Sequence, residues 1–173
     1  TTTFAFTVSL SAPSGQTVTV NYATADGTAI APGDYTAITS TLLTFNAGET
    51  MKTVNVSVVG DTANESNETF FVNLSNASNG SIADAQGVGT ITNDDQATLT
   101  LSGGTAQNEG NIGSGPVPYT FTATLSAPVQ GGFQVSYTTG NGIATVGTDY
   151  TDNDGLLTFV GTTGETKSWT VNV

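Results

Sequence analysis

The 173-residue chain carries 14 acidic side chains against two lysines and no arginine, which gives a formal net charge of −12 at pH 7. Such a charge repels nucleic acids and anionic membrane surfaces. The absence of cysteine and histidine excludes disulfides, thiolate or imidazole metal sites and a Ser-His-Asp triad. A hydrophobic fraction of 36% is sufficient for a buried core, and no segment approaches the ~18 consecutive apolar residues of a membrane span.

The predicted secondary structure is β throughout. Apolar residues alternate with small or polar residues, which indicates strands that place one face on a core. In chain order, these runs contain Phe4, Phe6, Val8 and Leu10; Val18, Val20 and Tyr22; Leu43 and Phe45; Val54, Val56 and Val58; and Phe70, Val72 and Leu74. Turn sequences rich in Gly, Pro, Asn and Asp separate the runs. This pattern predicts an antiparallel sandwich rather than a parallel sheet.

The chain repeats itself with an offset of 115 residues. Residues 4–13 align with residues 119–128, and the same offset relates Asp34-Tyr35 to Asp149-Tyr150. Such extended self-similarity indicates a tandem array. We therefore predict two domains, residues 1–95 and residues 96–173.

The two copies begin and end at different points of the repeat. The second copy has a leading strand near residues 97–102 that the first lacks, and the first continues beyond the end of the second. We therefore expect the first sandwich to lack its first strand and the second to lack its last two. A sandwich of this kind leaves an open edge. Because the chain starts at Thr1 without a leader, we expect a processed protein or a section of a longer one.

Acidic residues lie at the ends of the predicted strands in the first copy. They are Asp34, Asp61, Glu65, Glu68, Asp94 and Asp95. Because alternate strand ends meet at one pole of a sandwich, these carboxylates could lie close together, where a cation would offset their repulsion. Oxygen ligands without His or Cys favour Ca²⁺ over Mg²⁺ or Mn²⁺. From spacing alone, a solvated acidic surface explains the same residues equally well.

The order of short motifs resembles a Calx-beta domain. The motifs include Gly27-Thr28-Ala29, Gly33-Asp34-Tyr35, Leu43-Thr44-Phe45, Gly48-Glu49-Thr50 and Asn93-Asp94-Asp95. The resemblance covers nearly all of residues 1–95, and residues 97–173 resemble the first two-thirds of a second such domain. It implies tandem antiparallel β-sandwiches of immunoglobulin-like form.

The resemblance also implies a set of calcium ligands. They are Asp34, Asp61, Glu65, Glu68, Asp94 and Asp95 in the first copy, and Glu109 and Asp149 in the second. The chain departs from the family pattern at Asn93 and at Gly60, where the family often has Asp. Fewer carboxylates imply fewer or more weakly bound calcium ions. The second copy's ligand set is incomplete within this chain.

These observations lead us to expect a non-enzymatic, calcium-binding structural repeat of a long extracellular or cell-surface protein, such as a stalk, adhesin or matrix fibre. Its partners would be neighbouring repeats, neighbouring copies in a filament, or a cell-surface or matrix ligand, with no nucleic acid and no membrane insertion. Two alternatives are a filament subunit assembled by strand exchange and a calcium-regulated signalling module. An enzyme is the least favoured class, because no aromatic sugar platform accompanies the carboxylates.

Overall fold

The computed structural model describes residues 1–111 and 113–173, and all regular structure in that part of the chain is β-strand. The strands are β1 (Thr2–Ser9), β2 (Val18–Asp26), β3 (Thr41–Phe45), β4 (Met51–Val58), β5 (Glu68–Ser78), β6 (Gln86–Ile91), β7 (Leu99–Gly103), β8 (Pro118–Leu125), β9 (Phe133–Tyr137), β10 (Gly155–Phe159) and β11 (Thr166–Asn172). The residues group into two units. Unit 1 comprises Thr1–Asp61 and Ser66–Asn93, and unit 2 comprises Thr62–Glu65 and Asp94–Val173.

Unit 1 is a sandwich of two antiparallel sheets, the pair β1-β4 and the four-stranded sheet β3-β2-β5-β6. Its core centres on the fully buried ring of Phe70 in β5. That ring meets the rings of Phe4 and Phe6 edge-on at centroid distances of 5.6 and 5.7 Å and stacks on Tyr35 at 4.8 Å. The alternation of apolar residues in β1 thus supplies one wall of the core, as the period of two predicts.

Gly89 of β6 lies directly opposite Phe70 in the ladder between β5 and β6. A Cβ atom at this position would come within 2.6 Å of the Phe70 ring, so only glycine leaves room for it. The packing of the Phe70 ring therefore depends on the absence of a side chain at Gly89 as well as on its contacts with the other aromatic rings.

Unit 2 contains the sheets β11-β8-β7 and β10-β9. Its buried core residues are Ala123, Leu125, Leu157 and Phe159. Trp169 packs at the side of this core, stacked between Phe121 at 5.6 Å and Tyr137 at 4.4 Å. The segment Thr62–Glu65 belongs to unit 2 through Asn64, whose amide donates to Pro128 O and whose carbonyl accepts from Gln130 N.

The predicted tandem repeat of all-β sandwiches is confirmed. β8 pairs with β11 as β1 pairs with β4, and β9 pairs with β10 as β2 pairs with β3. Strand β7 lies beside β8, whereas the corresponding edge of β1 has no strand among the described residues. The second sandwich is incomplete in this chain, because counterparts of β5 and β6 are absent from its described residues.

Both lysines of the chain are held at corresponding turns of the two units. Lys52 pairs with Glu49 at 2.9 Å, and Lys167 pairs with Glu165 at 3.0 Å. Burial opposes ionisation of Glu165, but hydrogen bonds from Lys167 and from the amides of Val160, Gly161 and Thr162 outweigh it and hold its pKa at about 2. The two positive charges are therefore committed to the turns that connect one sheet to the other within each unit.

We expect Phe70→Ala to destabilise unit 1 by about 3–5 kcal/mol, because it leaves a cavity where four aromatic rings meet. Denaturant unfolding followed by far-UV circular dichroism measures the loss. The matched control is Leu42→Ala in β3. Because the Leu42 side chain is 60% exposed, this substitution should lower the free energy of unfolding by less than about 0.5 kcal/mol. Equal losses in the two variants would show that the Phe70 cluster does not organise the core.

Candidate metal centre

Asp34 lies in the connection between β2 and β3, where backbone hydrogen bonds attach it to the end of β4. The amide of Val59 donates to Asp34 O at 2.9 Å, and the amide of Thr36 donates to Ser57 O at 2.8 Å. Tyr35 forms an isolated antiparallel bridge with Val58. These bonds place Asp34 beside the point where the chain leaves β4 for the acidic loop of residues 59–67.

A second set of hydrogen bonds attaches the same connection to the start of β5. The amide of Ala29 donates to Thr69 O at 2.9 Å, and the amide of Thr69 donates to the hydroxyl of Thr28 at 2.8 Å. Glu68 is the first residue of β5 and is opposite Ile91 of β6. The Asp34 turn and Glu68 are therefore held together by backbone structure.

The Asp34 carboxylate is oriented by its own turn. Its Oδ2 atom accepts a hydrogen bond from the amide of Ile30 at 2.6 Å, while the Asp34 amide donates to Ile30 O at 3.0 Å. This reciprocal pair closes the turn and fixes the direction of the side chain. The carboxylate thus has a defined position that does not require a cation.

Asp34, Glu65 and Glu68 bring their carboxylates together. Each contributes one oxygen atom, these atoms lie within 4.8 Å of one another, and all three residues are half-buried. Like charges at this separation repel, and a cation would offset the repulsion. Carboxylate oxygens are hard ligands, so this donor set fits Ca²⁺, which takes about 6–8 oxygen ligands and would need further backbone or water oxygens here.

The other predicted ligands, Asp61, Asp94, Asp95, Glu109 and Asp149, lie outside this group of three. The segment that follows β6 is nevertheless attached near the group of three, because the amide of Asn93 donates to the side-chain oxygen of Asn67 at 3.0 Å. Asn67 precedes Glu68, and Asn93 precedes Asp94. The ligand roles of all eight predicted residues stay predictions.

Asp149 is the counterpart of Asp34 in unit 2 and adopts the same local arrangement. Its Oδ2 atom accepts from the amide of Thr145 at 2.8 Å and from the Thr145 hydroxyl at 3.0 Å. Two hydrogen bonds from Thr145 lower the pKa of Asp149. The bond from its backbone amide has the larger effect and the bond from its hydroxyl the smaller one. The Asp149 side chain is exposed, as is that of Glu109 in the segment between β7 and β8.

One residue that shapes the site was missed in the sequence. Asp26, which is not among the predicted ligands, accepts hydrogen bonds through Oδ1 from the Tyr35 hydroxyl at 2.6 Å and the Ala31 amide at 3.0 Å. The Tyr35 bond, followed by the Ala31 bond, lowers the pKa of Asp26. Burial, together with the hydrogen bond and the charge of Asp26, raises the pKa of Tyr35 to about 12.

Unit 2 repeats this network with a neutral acceptor. The side-chain oxygen of Asn141 accepts from the Tyr150 hydroxyl at 3.0 Å and from the Val146 amide at 2.8 Å. All three residues correspond to Asp26, Tyr35 and Ala31 with the offset of 115. The position therefore requires an acceptor and not a charge, and aligning the two copies at this offset could have revealed it.

Comparison with known families identifies the chain. The sequence profile of the Calx-beta domain matches residues 1–104 and, a second time, residues 93–173. The chain belongs to the Calx-beta family. Within the part that the structure describes, no helix has the length and apolar character to span a membrane.

Similar curated proteins are far longer than this chain. Adhesion G-protein coupled receptor V1 of Danio rerio is 39% identical over 75 residues, which make up 43% of the chain and 1% of the receptor. Sodium/calcium exchanger 1 of Canis lupus familiaris is 40% identical over 72 residues, which make up 42% of the chain and 7% of the exchanger. The Calx-beta chain therefore matches only a small part of each relative.

Two solved structures share the fold. The apo form of the Calx CBD1 domain matches with a TM-score of 0.50 and 28% identity, covering 54% of this chain and 83% of that domain. The calcium binding domain CBD12 of CALX1.1 matches with a TM-score of 0.51 and 23% identity, covering 97% of this chain and 67% of that one. The second comparison extends the likeness in fold along both units.

We expect Asp26→Ala to lower the melting temperature at pH 7, because the Tyr35 hydroxyl and the Ala31 amide both lose their acceptor. Asp26→Asn should keep most of the stability, since Asn141 performs the same role in unit 2. Thermal unfolding of the two variants beside the parent chain tests this pair. A loss as large for Asn as for Ala would mean that the negative charge itself is required.

Tyr35 should make unit 1 sensitive to alkali. Because its pKa in the folded protein is about 12, above the unfolded value of about 10, the stability it contributes is complete below pH ~10 and is lost as the pH rises towards ~12. Tyr35→Phe removes this titration, so the stability of the variant should fall less between pH 10 and 12. Unfolding midpoints from pH 7 to 12 give the comparison. Parallel curves over the whole range would contradict it.

Proposed function

We propose that this chain is a calcium-binding structural part of a long extracellular or cell-surface protein, such as a stalk, adhesin or matrix fibre. The observation that carries the proposal is the half-buried group of Asp34, Glu65 and Glu68 in a chain of the Calx-beta family. The proposal assigns no catalytic role to these carboxylates.

The residues around the group are suited to hold a cation in a preformed site. Asp34 is aimed by the Ile30 amide, Glu68 is fixed at the start of β5, and Tyr35 anchors the turn to the core through Asp26 and Phe70. Bound calcium would supply positive charge that neutralises the carboxylates. The loop that carries Glu65 would then be attached to strand ends that are already rigid.

The place of the chain in a longer protein is supported by its relatives. The matching sections make up 1% of an adhesion receptor and 7% of a sodium/calcium exchanger, so Calx-beta sequences occur as small parts of large proteins. The tandem repeat and the net charge of −12 agree with a solvated, repetitive segment. Extracellular calcium modules work at dissociation constants of about 10⁻⁴–10⁻³ M, which a site with few carboxylates can reach. Its partners would be neighbouring repeats and a surface or matrix ligand.

Calcium titration of the full chain tests this proposal. At 10 mM Ca²⁺, binding with the affinity expected of an extracellular module should stabilise the chain by about 1–3 kcal/mol relative to chelator. Isothermal calorimetry gives the binding constant, and thermal unfolding with calcium or with chelator gives the stabilisation. Asp34→Asn should weaken binding and reduce the shift, because the amide can still accept from Ile30 but carries no charge.

The matched control is Asp84→Asn, which removes the same charge from an exposed residue outside the group of three. Asp84 accepts a hydrogen bond from the Gln86 amide at 3.1 Å, which asparagine can also accept. Calcium binding in this variant should match that of the parent chain. Equal weakening in the two variants, or no binding by the parent, would show that the acidic residues form only a solvated surface.

A further inference from the structure

The dipeptide Asn141-Gly142 lies in the connection between β9 and β10, and both of its residues are exposed. Asparagine is a chemically labile residue. A following glycine increases that lability, because it has no side chain to hinder the attack of its backbone nitrogen on the asparagine Cγ atom. The attack closes a five-membered succinimide ring and releases the side-chain nitrogen as ammonia. How the fold affects this reaction depends on what contacts the side-chain oxygen.

Two hydrogen bonds hold the side-chain oxygen of Asn141. Its Oδ1 atom accepts from the Val146 amide at 2.8 Å and from the Tyr150 hydroxyl at 3.0 Å. Negative charge develops on this atom when a nucleophile adds to Cγ, and preorganised donors stabilise such charge in the way that an oxyanion hole does. The nucleophile is the amide of Gly142, which donates to Ala144 O at 3.2 Å. That distance is at the long end of the range for an N–H donor, so the bond is weak.

Unit 1 shows that this pair of donors favours a negatively charged oxygen. At the corresponding position, Asp26 Oδ1 accepts from the Tyr35 hydroxyl at 2.6 Å and from the Ala31 amide at 3.0 Å. The Tyr35 bond, followed by the Ala31 bond, holds the pKa of Asp26 below its ordinary value. The Tyr35 bond is also shorter than the 3.0 Å of its counterpart in unit 2, as expected of a hydrogen bond to an ionised acceptor.

Exposure of the dipeptide is common to both units. Asp26 and Gly27 stand at the same two positions of unit 1 and are exposed as well, although Asp26 is paired with Phe70 of β5. The amide of Gly27 likewise donates over a long distance, 3.3 Å, to Ala29 O. Water and hydroxide therefore reach this dipeptide in a unit where β5 lies beside it.

We propose that Asn141 is a self-modifying residue, which deamidates through a succinimide and is converted to aspartate. A base from solvent removes the Gly142 amide proton, the nitrogen bonds to Asn141 Cγ, and the Cγ–Nδ2 bond breaks as Nδ2 takes up a proton and leaves as ammonia. Water then adds to Cγ, the bond from Cγ to the Gly142 nitrogen breaks, and that nitrogen regains a proton. One water is consumed and one ammonia is released, with no oxidation or reduction.

The two donors also select the product. Hydrolysis of the succinimide at the backbone carbonyl gives isoaspartate, whereas hydrolysis at Cγ gives aspartate with a normal backbone. Because Val146 and Tyr150 stabilise negative charge on Oδ1, they favour the addition of water at Cγ. The product carboxylate then accepts the two hydrogen bonds that Asp26 accepts in unit 1. This conversion gives unit 2 an ionised acceptor, does not depend on calcium binding and goes beyond the function proposed above.

Peptide mapping of the full chain by mass spectrometry, during incubation at pH 8 and 37 °C, tests the proposal. Deamidation raises the mass of a peptide by about 1 Da, and chromatography separates aspartate from isoaspartate. Asn141 should convert faster than Asn79, which belongs to the second Asn-Gly dipeptide of the chain. The Nδ2 atom of Asn79 donates to Thr17 O at 2.8 Å, so there the contact holds the leaving group.

Tyr150→Phe distinguishes promotion by the fold from simple exposure. The variant loses the hydroxyl donor, so conversion of Asn141 should slow at least about threefold and the isoaspartate fraction should rise. If the hydrogen bond only restrained the side chain, its loss would speed the conversion instead. Tyr119→Phe is the matched control, because its hydroxyl donates to Gln107 O at 2.8 Å. The control should leave the rate and the product ratio unchanged.

Asp26→Asn transfers the same reaction to unit 1. It creates an Asn-Gly dipeptide whose side-chain oxygen meets the Tyr35 hydroxyl and the Ala31 amide. The introduced asparagine should return to aspartate with a low isoaspartate fraction. Tyr35→Phe in the same chain should slow this return, which gives a second test that does not rely on the folding of a unit 2 variant.

Three outcomes would overturn the proposal. The first is an Asn141 that keeps its amide while Asn79 converts. The second is faster conversion in Tyr150→Phe although circular dichroism shows its strands retained. The third is an isoaspartate fraction in the parent chain as large as in a synthetic peptide of residues 138–145, which contains the dipeptide without the donors from Val146 and Tyr150.

Discussion

Tyr35 connects the core of unit 1 to the turn that carries Asp34. Its ring is buried against Phe70, and its hydroxyl donates to Asp26 at 2.6 Å. The neighbouring residue, Asp34, is thereby held at the end of β4, close to the first residue of β5. A loop that carries acidic residues is mobile by default, so a preformed site depends on such an anchor.

Unit 2 shows which parts of this arrangement are general to the repeat. It retains the tyrosine, an acceptor for its hydroxyl, and an Asp whose carboxylate closes the turn. In unit 2, Asn141 stands at the position that corresponds to Asp26. Asp149 belongs to no group of three carboxylates among the described residues. The anchored turn is therefore a structural property of the fold, and the group of Asp34, Glu65 and Glu68 is an addition to it.

Electrostatics limits where such a chain can form contacts. Its two lysines pair with Glu49 and Glu165, which cap turns at corresponding positions of the two units. The remaining carboxylates either accept local hydrogen bonds, as Asp34 and Asp149 do, or lie near solvent. A cation is thus a partner that meets little repulsion on this molecule.

The sequence by itself determined the strands, the tandem repeat, the family and the candidate ligands, because alternation and self-similarity are local or periodic signals. It predicted Asp34, Glu65 and Glu68 together with five other acids, but spacing alone does not show which side chains converge. That choice depends on the bonds from Ala29 to Thr69 and from Val59 to Asp34, which join segments distant in the chain. The partner of the Tyr35 hydroxyl was likewise decided by the tertiary structure, because Asp26 and Tyr35 lie apart in the sequence and meet only when the connection after β2 is folded.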